Sequence, residues 1–168
     1  MLPRNISNNF LATNYGGGNG AVDNDDGSLW FDNNHNFAIY GHQKFKVGAI
    51  RSFGNVLAYV TDFAGKWSGP GEEARLSNAM FDNSVIFAPN ASAQYHDCTW
   101  NGTAVAARNA LYGPQVVVSG SHCPSGAALT LAQWQALDPS NNDVGSTWVA
   151  QRPSGAEIVA MGRVLVGM

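Results

Sequence analysis

The sequence predicts an all-β protein whose strands stack as a parallel β-solenoid. An asparagine recurs immediately before short apolar runs. The composition is rich in turn formers and poor in charge, with Gly at 19 residues and charged residues at 12%. Helix signals are confined to the C-terminal part of the chain.

The recurrence reads Asn9-Phe10-Leu11, Asn36-Phe37-Ala38-Ile39-Tyr40, Asn55-Val56-Leu57-Ala58-Tyr59-Val60, Asn83-Ser84-Val85-Ile86-Phe87 and Asn109-Ala110-Leu111-Tyr112. Successive asparagines are 27, 19, 28 and 26 residues apart. Spacing in the mid-twenties fits one coil of several short strands joined by turns. In such a stack the asparagines lie above one another and bond amide to amide. Asparagine also tolerates the left-handed backbone of a sharp corner. The strands then bury alternate apolar residues in one continuous core. The alternative is an ordinary β-sandwich in which asparagine is merely common, and the uneven spacing keeps it open.

Composition narrows the function classes. At 168 residues the chain fits one domain with a real core. A net charge of -3 provides no basic surface, which weighs against nucleic-acid binding by phosphate neutralisation. There is no apolar run of membrane-spanning length. The start, MLPRNISNNF, lacks the charged-then-apolar order of a secretory signal and reads like the middle of a strand-and-turn repeat. The expectation is therefore a chain that begins partway through a longer protein, with further coils upstream. An intact cytosolic protein is the alternative. Sequons at Asn5, Asn90 and Asn101 are close to what this much asparagine produces by chance.

In chain order, the coils are expected over 1–120 and a coil remnant with a helical cap over 121–168, in the same domain. Gly20 to Val60 holds most of the candidate chemistry. It opens on Asp23, Asp25 and Asp26 and continues to His42, Lys44, Lys46 and Arg51. Gly65 to Arg75 reads as a projecting Gly/Pro loop, where binding residues often sit. Its Trp67 would stack on a sugar or pack back on its own domain. Cys98 and Cys123 fit no metal spacing and read as a stacked disulfide or a thiol pair. Gln115 to Ser119 is expected as the last strand, Thr130 to Gln135 as a capped helical turn, and Asn141 to Ser146 as a turn. Ser154 and Glu157 form a capping box, with Ile158, Met161 and Leu165 on one helical face and Gly167 as the stop. Such a helix suits the open end of a solenoid.

The segments Asp23-Asn24-Asp25-Asp26-Gly27-Ser28, the asparagine strand starts, Leu131-Ala132-Gln133-Trp134-Gln135 and Asp143-Val144-Gly145-Ser146 carry a resemblance over nearly the whole chain. The sequence resembles the C-terminal coils and end cap of right-handed parallel β-helix proteins of the pectin-lyase-like superfamily. That resemblance implies a right-handed parallel β-helix with a short C-terminal helical cap, acting outside the cell or at its surface. It implies a carbohydrate-active protein, a polysaccharide lyase or glycosidase on acidic or cell-surface polysaccharide. The alternative is a non-catalytic glycan-binding or structural module.

The resemblance also implies roles. Asp25-Asp26 ahead of Gly41-His42 echoes the order of polygalacturonase-like members, in which two carboxylates share acid and base work. The sequence departs from that pattern where Gln43 follows His42 and where Arg51-Ser52-Phe53 stands in place of Arg-x-Lys. In lyases of this fold a Lys or Arg removes the proton beside a uronate carboxylate, a role open to Lys46 or Arg51. The catalytic candidates are thus Asp25, Asp26, His42, Lys46 and Arg51, with Lys44 and Trp67 as substrate contacts. Asp23, Asp25 and Asp26 also suit calcium, a hard cation that prefers oxygen ligands. A bland reading stands beside each use. Asp-Asn-Asp-Asp-Gly can be a self-bonded corner, and the basic residues can be a solvated ion-pair ladder. The expected adjacency is an acidic corner one rung from a ridge of His42, Lys44, Lys46 and Arg51.

Overall fold

The computed structural model describes residues 4–12, 22–24, 30–45, 49–61, 63–67, 78–89, 94–96, 104–114, 117–119, 123 and 126–168. Within these, the chain passes through three sheets in turn. Sheet A holds β1 (Arg4–Ser7), β4 (Phe31–Asn34), β7 (Ile50–Phe53), β10 (Asn78–Phe81) and β13 (Ala104–Ala107), in that order. Sheet B holds β2 (Phe10–Ala12), β5 (Phe37–Ile39), β8 (Val56–Val60), β11 (Ser84–Phe87), β14 (Ala110–Tyr112) and β17 (Thr147–Val149). Sheet C holds β3 (Val22–Asn24), β6 (Gln43–Phe45), β9 (Phe63–Trp67), β12 (Gln94–His96), β15 (Val117–Val118) and β16 (Leu129–Thr130). Every described pairing is parallel except β15 with β16. Strands therefore pair with the third strand along, an order compatible with a β-solenoid. This pairing rules out the antiparallel sandwich.

The corner from sheet A to sheet B is two residues long at every coil, and its chemistry is regular. The first residue is left-handed: Asn8, His35, Gly54, Asp82 and Arg108 all have φ between 52° and 63°. The second is the predicted asparagine. Its backbone N–H donates to the side-chain carbonyl of the next asparagine: Asn9 to Asn36 at 3.0 Å, Asn36 to Asn55 at 2.9 Å, Asn55 to Asn83 at 3.0 Å and Asn83 to Asn109 at 3.0 Å. Each Nδ2 donates to the same acceptor, at 3.0–3.3 Å. The last rung is Ser146, whose Oγ accepts from the Asn109 N–H at 3.0 Å. The expected amide ladder is present, with one refinement. The left-handed residue is the one before each ladder asparagine; the asparagine itself is not left-handed, and its amide is aimed along the stack. Substituents as large as His35 and Arg108 tolerate that conformation because the ladder holds the corner.

The main core runs between the sheets through Ala38, Phe45, Ile50, Leu57, Met80, Val85, Phe87, Tyr95 and Leu111. Sheet B buries its outer face too. Phe37, Val56, Ala58 and Ile86 alternate with the inward residues and pack under Ile158, Met161, Leu165 and Val166. A parallel sheet covered on both faces is the usual case.

The expected terminal cap is divided between two helices. α1 (Leu131–Leu137) starts at a Thr130–Gln133 capping box and inserts Leu131 and Trp134 into the main core. α2 (Gly155–Val166) starts at the predicted Ser154–Glu157 box and stops at Gly167, φ 72°. It lies along the outer face of sheet B instead of over an end. Its closest approach is at Gly162, where an added Cβ would run into the Phe37 ring. Two further expectations need correction. Gly65 to Trp67 belongs to β9 and not to a loop, and Gln115 to Ser119 is not the last strand, since β16 and β17 follow.

Candidate functional site

Sheet C aligns part of the predicted charged set. Asp23 is the register partner of Lys44, and Lys44 is the partner of Lys66. An acidic residue therefore sits one rung from one basic residue and two rungs from a second, on a single register line across β3, β6 and β9. Trp67 follows as the register partner of Phe45. Parallel register fixes this placement, because neighbouring strands lie about 4.8 Å apart. Asp25, Asp26 and Lys46 lie outside the described residues. Among the described residues no group of three or more His, Cys, Asp or Glu could hold a metal.

One predicted member of the ridge is buried and another lies on a different sheet. His42 has 5% exposure and directly precedes β6. It follows Tyr40 and Gly41, both with positive φ, so the backbone turns before β6 begins. Arg51 is in sheet A, opposite Asp32. It grips that carboxylate with both Nε, at 2.7 Å, and Nη2, and stands over the Phe53 ring. The hydrogen bond it donates to Asp32 holds its guanidinium pKa above the usual value. Arg108 repeats the device with Asp82, both bonds at 2.7 Å, over Phe81. The Arg108 hydrogen bond draws the Asp82 carboxyl below its usual range. The Phe53 and Phe81 rings stack 5.1 Å apart between these forks. These pairs form an ion-pair ladder on sheet A and at its corners, in which the Asp82–Arg108 pair faces water and Asp32 is largely covered, with its side chain 14% exposed.

The densest polar cluster was not legible as a site. Asp143 is 1% exposed and accepts four hydrogen bonds. Tyr95 O–H (2.8 Å) and Ser146 Oγ (2.9 Å) donate to Oδ1. His96 Nε2 (2.8 Å) and Trp134 Nε1 (3.1 Å) donate to Oδ2. Burial by itself would push this carboxyl up, but the His96 charge and the donors from His96, Tyr95 and Ser146 outweigh it and bring it below the usual range. Burial, then the Asp143 charge, pushes the Tyr95 phenol well up, so it stays a donor. A carboxylate with every lone-pair direction taken and no solvent exposure cannot reach a substrate. Its work is structural: Tyr95 also accepts from Asn109 Nδ2 at 2.6 Å, so the ladder, sheet C and α1 all end on one group. The one sequence signal was the Asp143-Val144-Gly145-Ser146 stretch, in which Gly145 (φ 76°) and Ser146 repeat the left-handed-then-acceptor corner.

Cys123 is buried and disulfide-bonded. Cys98 lies outside the described residues. No helix among the described residues is long and apolar enough to cross a membrane. Comparison with known proteins finds no matching family model, no matching curated protein and no matching solved structure.

Proposed function

We propose that the chain is a right-handed parallel β-helix of the pectin-lyase-like kind that acts on an acidic or cell-surface polysaccharide along sheet C. The observation that carries this reading is the register line Asp23–Lys44–Lys66, which sets unlike charges one rung apart on one sheet. The hand follows from chain chirality, since parallel crossover connections within a sheet are right-handed in about 98% of cases. A disulfide at Cys123 suits an extracellular or cell-surface setting.

Two chemistries fit the line. In a lyase, a basic side chain such as Lys46 takes the proton beside the uronate carboxylate. The electron pair forms the new double bond as the glycosidic oxygen leaves. Asp23, Asp25 and Asp26 would hold a calcium ion that neutralises the carboxylate. In a hydrolase, Asp25 and Asp26 share the acid and base roles and water cleaves the bond. Lys44 and Trp67 contact the polymer in either case. The test is turnover on a panel of acidic polysaccharides, with unsaturated uronate product separating lyase from hydrolase. Asp25→Asn and Lys46→Met should abolish turnover while the fold is kept. Unchanged turnover in both removes this site.

A second reading is a non-catalytic glycan-binding or structural module. What favours it is that Arg51, Asp82, Arg108 and Asp143 are already committed to partners. It predicts glycan binding by calorimetry with no product formed from any member of the panel.

A further inference from the structure

The two ends of the coil stack are built differently. At the C-terminal end the ladder finishes on Ser146, and the core is covered by Leu131 and Trp134 of α1. At the other end no described residue continues the ladder. Asn9 donates its N–H and Nδ2 forward to Asn36, yet no described group donates to the Asn9 side-chain carbonyl. The equivalent oxygens of Asn36, Asn55, Asn83 and Asn109 each accept two hydrogen bonds from the rung before. β1, β2 and β3 are the edge strands of their sheets at this same end.

A further observation lies on the flank. α2 overhangs β2 and leaves an apolar cleft of about 250 Å³ lined by Phe10, Phe37, Ile39, Val159, Val166 and Met168. Phe10 lies 5.5 Å from Phe37, continuing the outward column of sheet B, and is 54% exposed. One more sheet B strand would set its first outward side chain on Phe10 and beneath the end of α2.

We propose that the N-terminal face is a receiving edge for one more parallel coil, in cis, entering at Arg4. That coil carries an asparagine at the ladder corner and an apolar residue directly after it. The asparagine supplies two donors to Asn9 Oδ1, which accepts from no described group, and the apolar residue fills the cleft. The ladder's polarity excludes a second copy of this chain as the occupant. A copy would have to present its C-terminal end, which Ser146 and α1 close. This inference stands on strand order and ladder chemistry and is independent of the glycan reading.

The test fuses a second copy of residues 50–77 directly before Arg4, which brings its Ile50 opposite Arg4 and its Asn55 onto Asn9. Amide exchange is read in β2, with β11 as the control for an intact fold. Exchange at Phe10 and Leu11 should slow by about tenfold or more. The same fusion with the copied Asn55→Ala should lose most of that protection. Equal exchange in fused and unfused chains overturns the proposal. Loss of β11 protection in the fusion also overturns it, because a receiving edge accommodates a matched coil. Linear self-association of the unfused chain in sedimentation overturns the choice of occupant.

Discussion

Asp143 and Asp82 make the same kind of contact in opposite surroundings. Each carboxylate is gripped by cationic or polar donors at 2.7–3.1 Å. Asp82 faces water, with its side chain 48% exposed and its partner Arg108 58% exposed. Asp143 and His96 are at 0%. In water the Coulomb gain is screened and the competing hydration is strong, so the outer pair contributes little. Inside, the charge has lost its hydration, and the four donors are what make it tolerable. The same chemistry is therefore ornament on sheet A and a keystone at the C-terminal end.

The largest break in this contrast is expected from Asp143→Ala. It leaves Tyr95, His96, Trp134 and Ser146 without their shared acceptor and should cost about 3–5 kcal/mol in denaturant unfolding. The same group sets a pH limb. Its folded-state pKa is depressed, so its stabilisation is present above the unfolded value of about 3.9 and is lost as pH falls through the lower folded value. Unfolding curves of the parent and Asp143→Asn should therefore converge as pH falls below about pH 4. A parent–variant difference that does not change with pH would remove the charge from the account.

A ladder rung should come next. Asn83 is 1% exposed and bonds both neighbouring rungs, so Asn83→Ala should cost about 2–3 kcal/mol, read as a lowered unfolding midpoint. Gly162→Ala pushes a methyl into the Phe37 ring and should cost about 1–3 kcal/mol, measured by thermal melting. It should leave the Asp143 pH limb in place, since α2 lies on the other side of sheet B. Arg51→Ala should sit at the bottom, within about 1 kcal/mol, with most of the effect gone in high salt. A larger cost there would show that the sheet A ladder holds the coils together.

The ladder was legible because its physics is local. Asn9, Asn36, Asn55, Asn83 and Asn109 each precede a short apolar run, and the spacing between them is the length of a coil. The capping box at Ser154 and the capped turn at Thr130 were legible for the same reason, since each cap joins residues three apart. Arg51 was misplaced because the coil from Asn36 to Asn55 is only 19 residues long, which moves it from the expected sheet C ridge to sheet A. The position of α2 was missed because helical periodicity identifies an apolar face but not its partner. The outward apolar residues Phe37, Val56, Ala58 and Ile86 were the available signal, and they read equally as a continuous buried run.

The sequence by itself determined the repeat, the asparagine corner, the strand starts and the two helix N-termini, because each depends on residues within one turn or one coil. Tertiary structure decided which charges meet. It put Asp23 in register with Lys44 across β3 and β6, sent Arg51 to Asp32, and gathered Tyr95, His96, Trp134 and Ser146 on Asp143 from as far as 48 residues away. Those meetings depend on the length of every intervening loop and on which side chains lose water, and no single stretch of the chain encodes either.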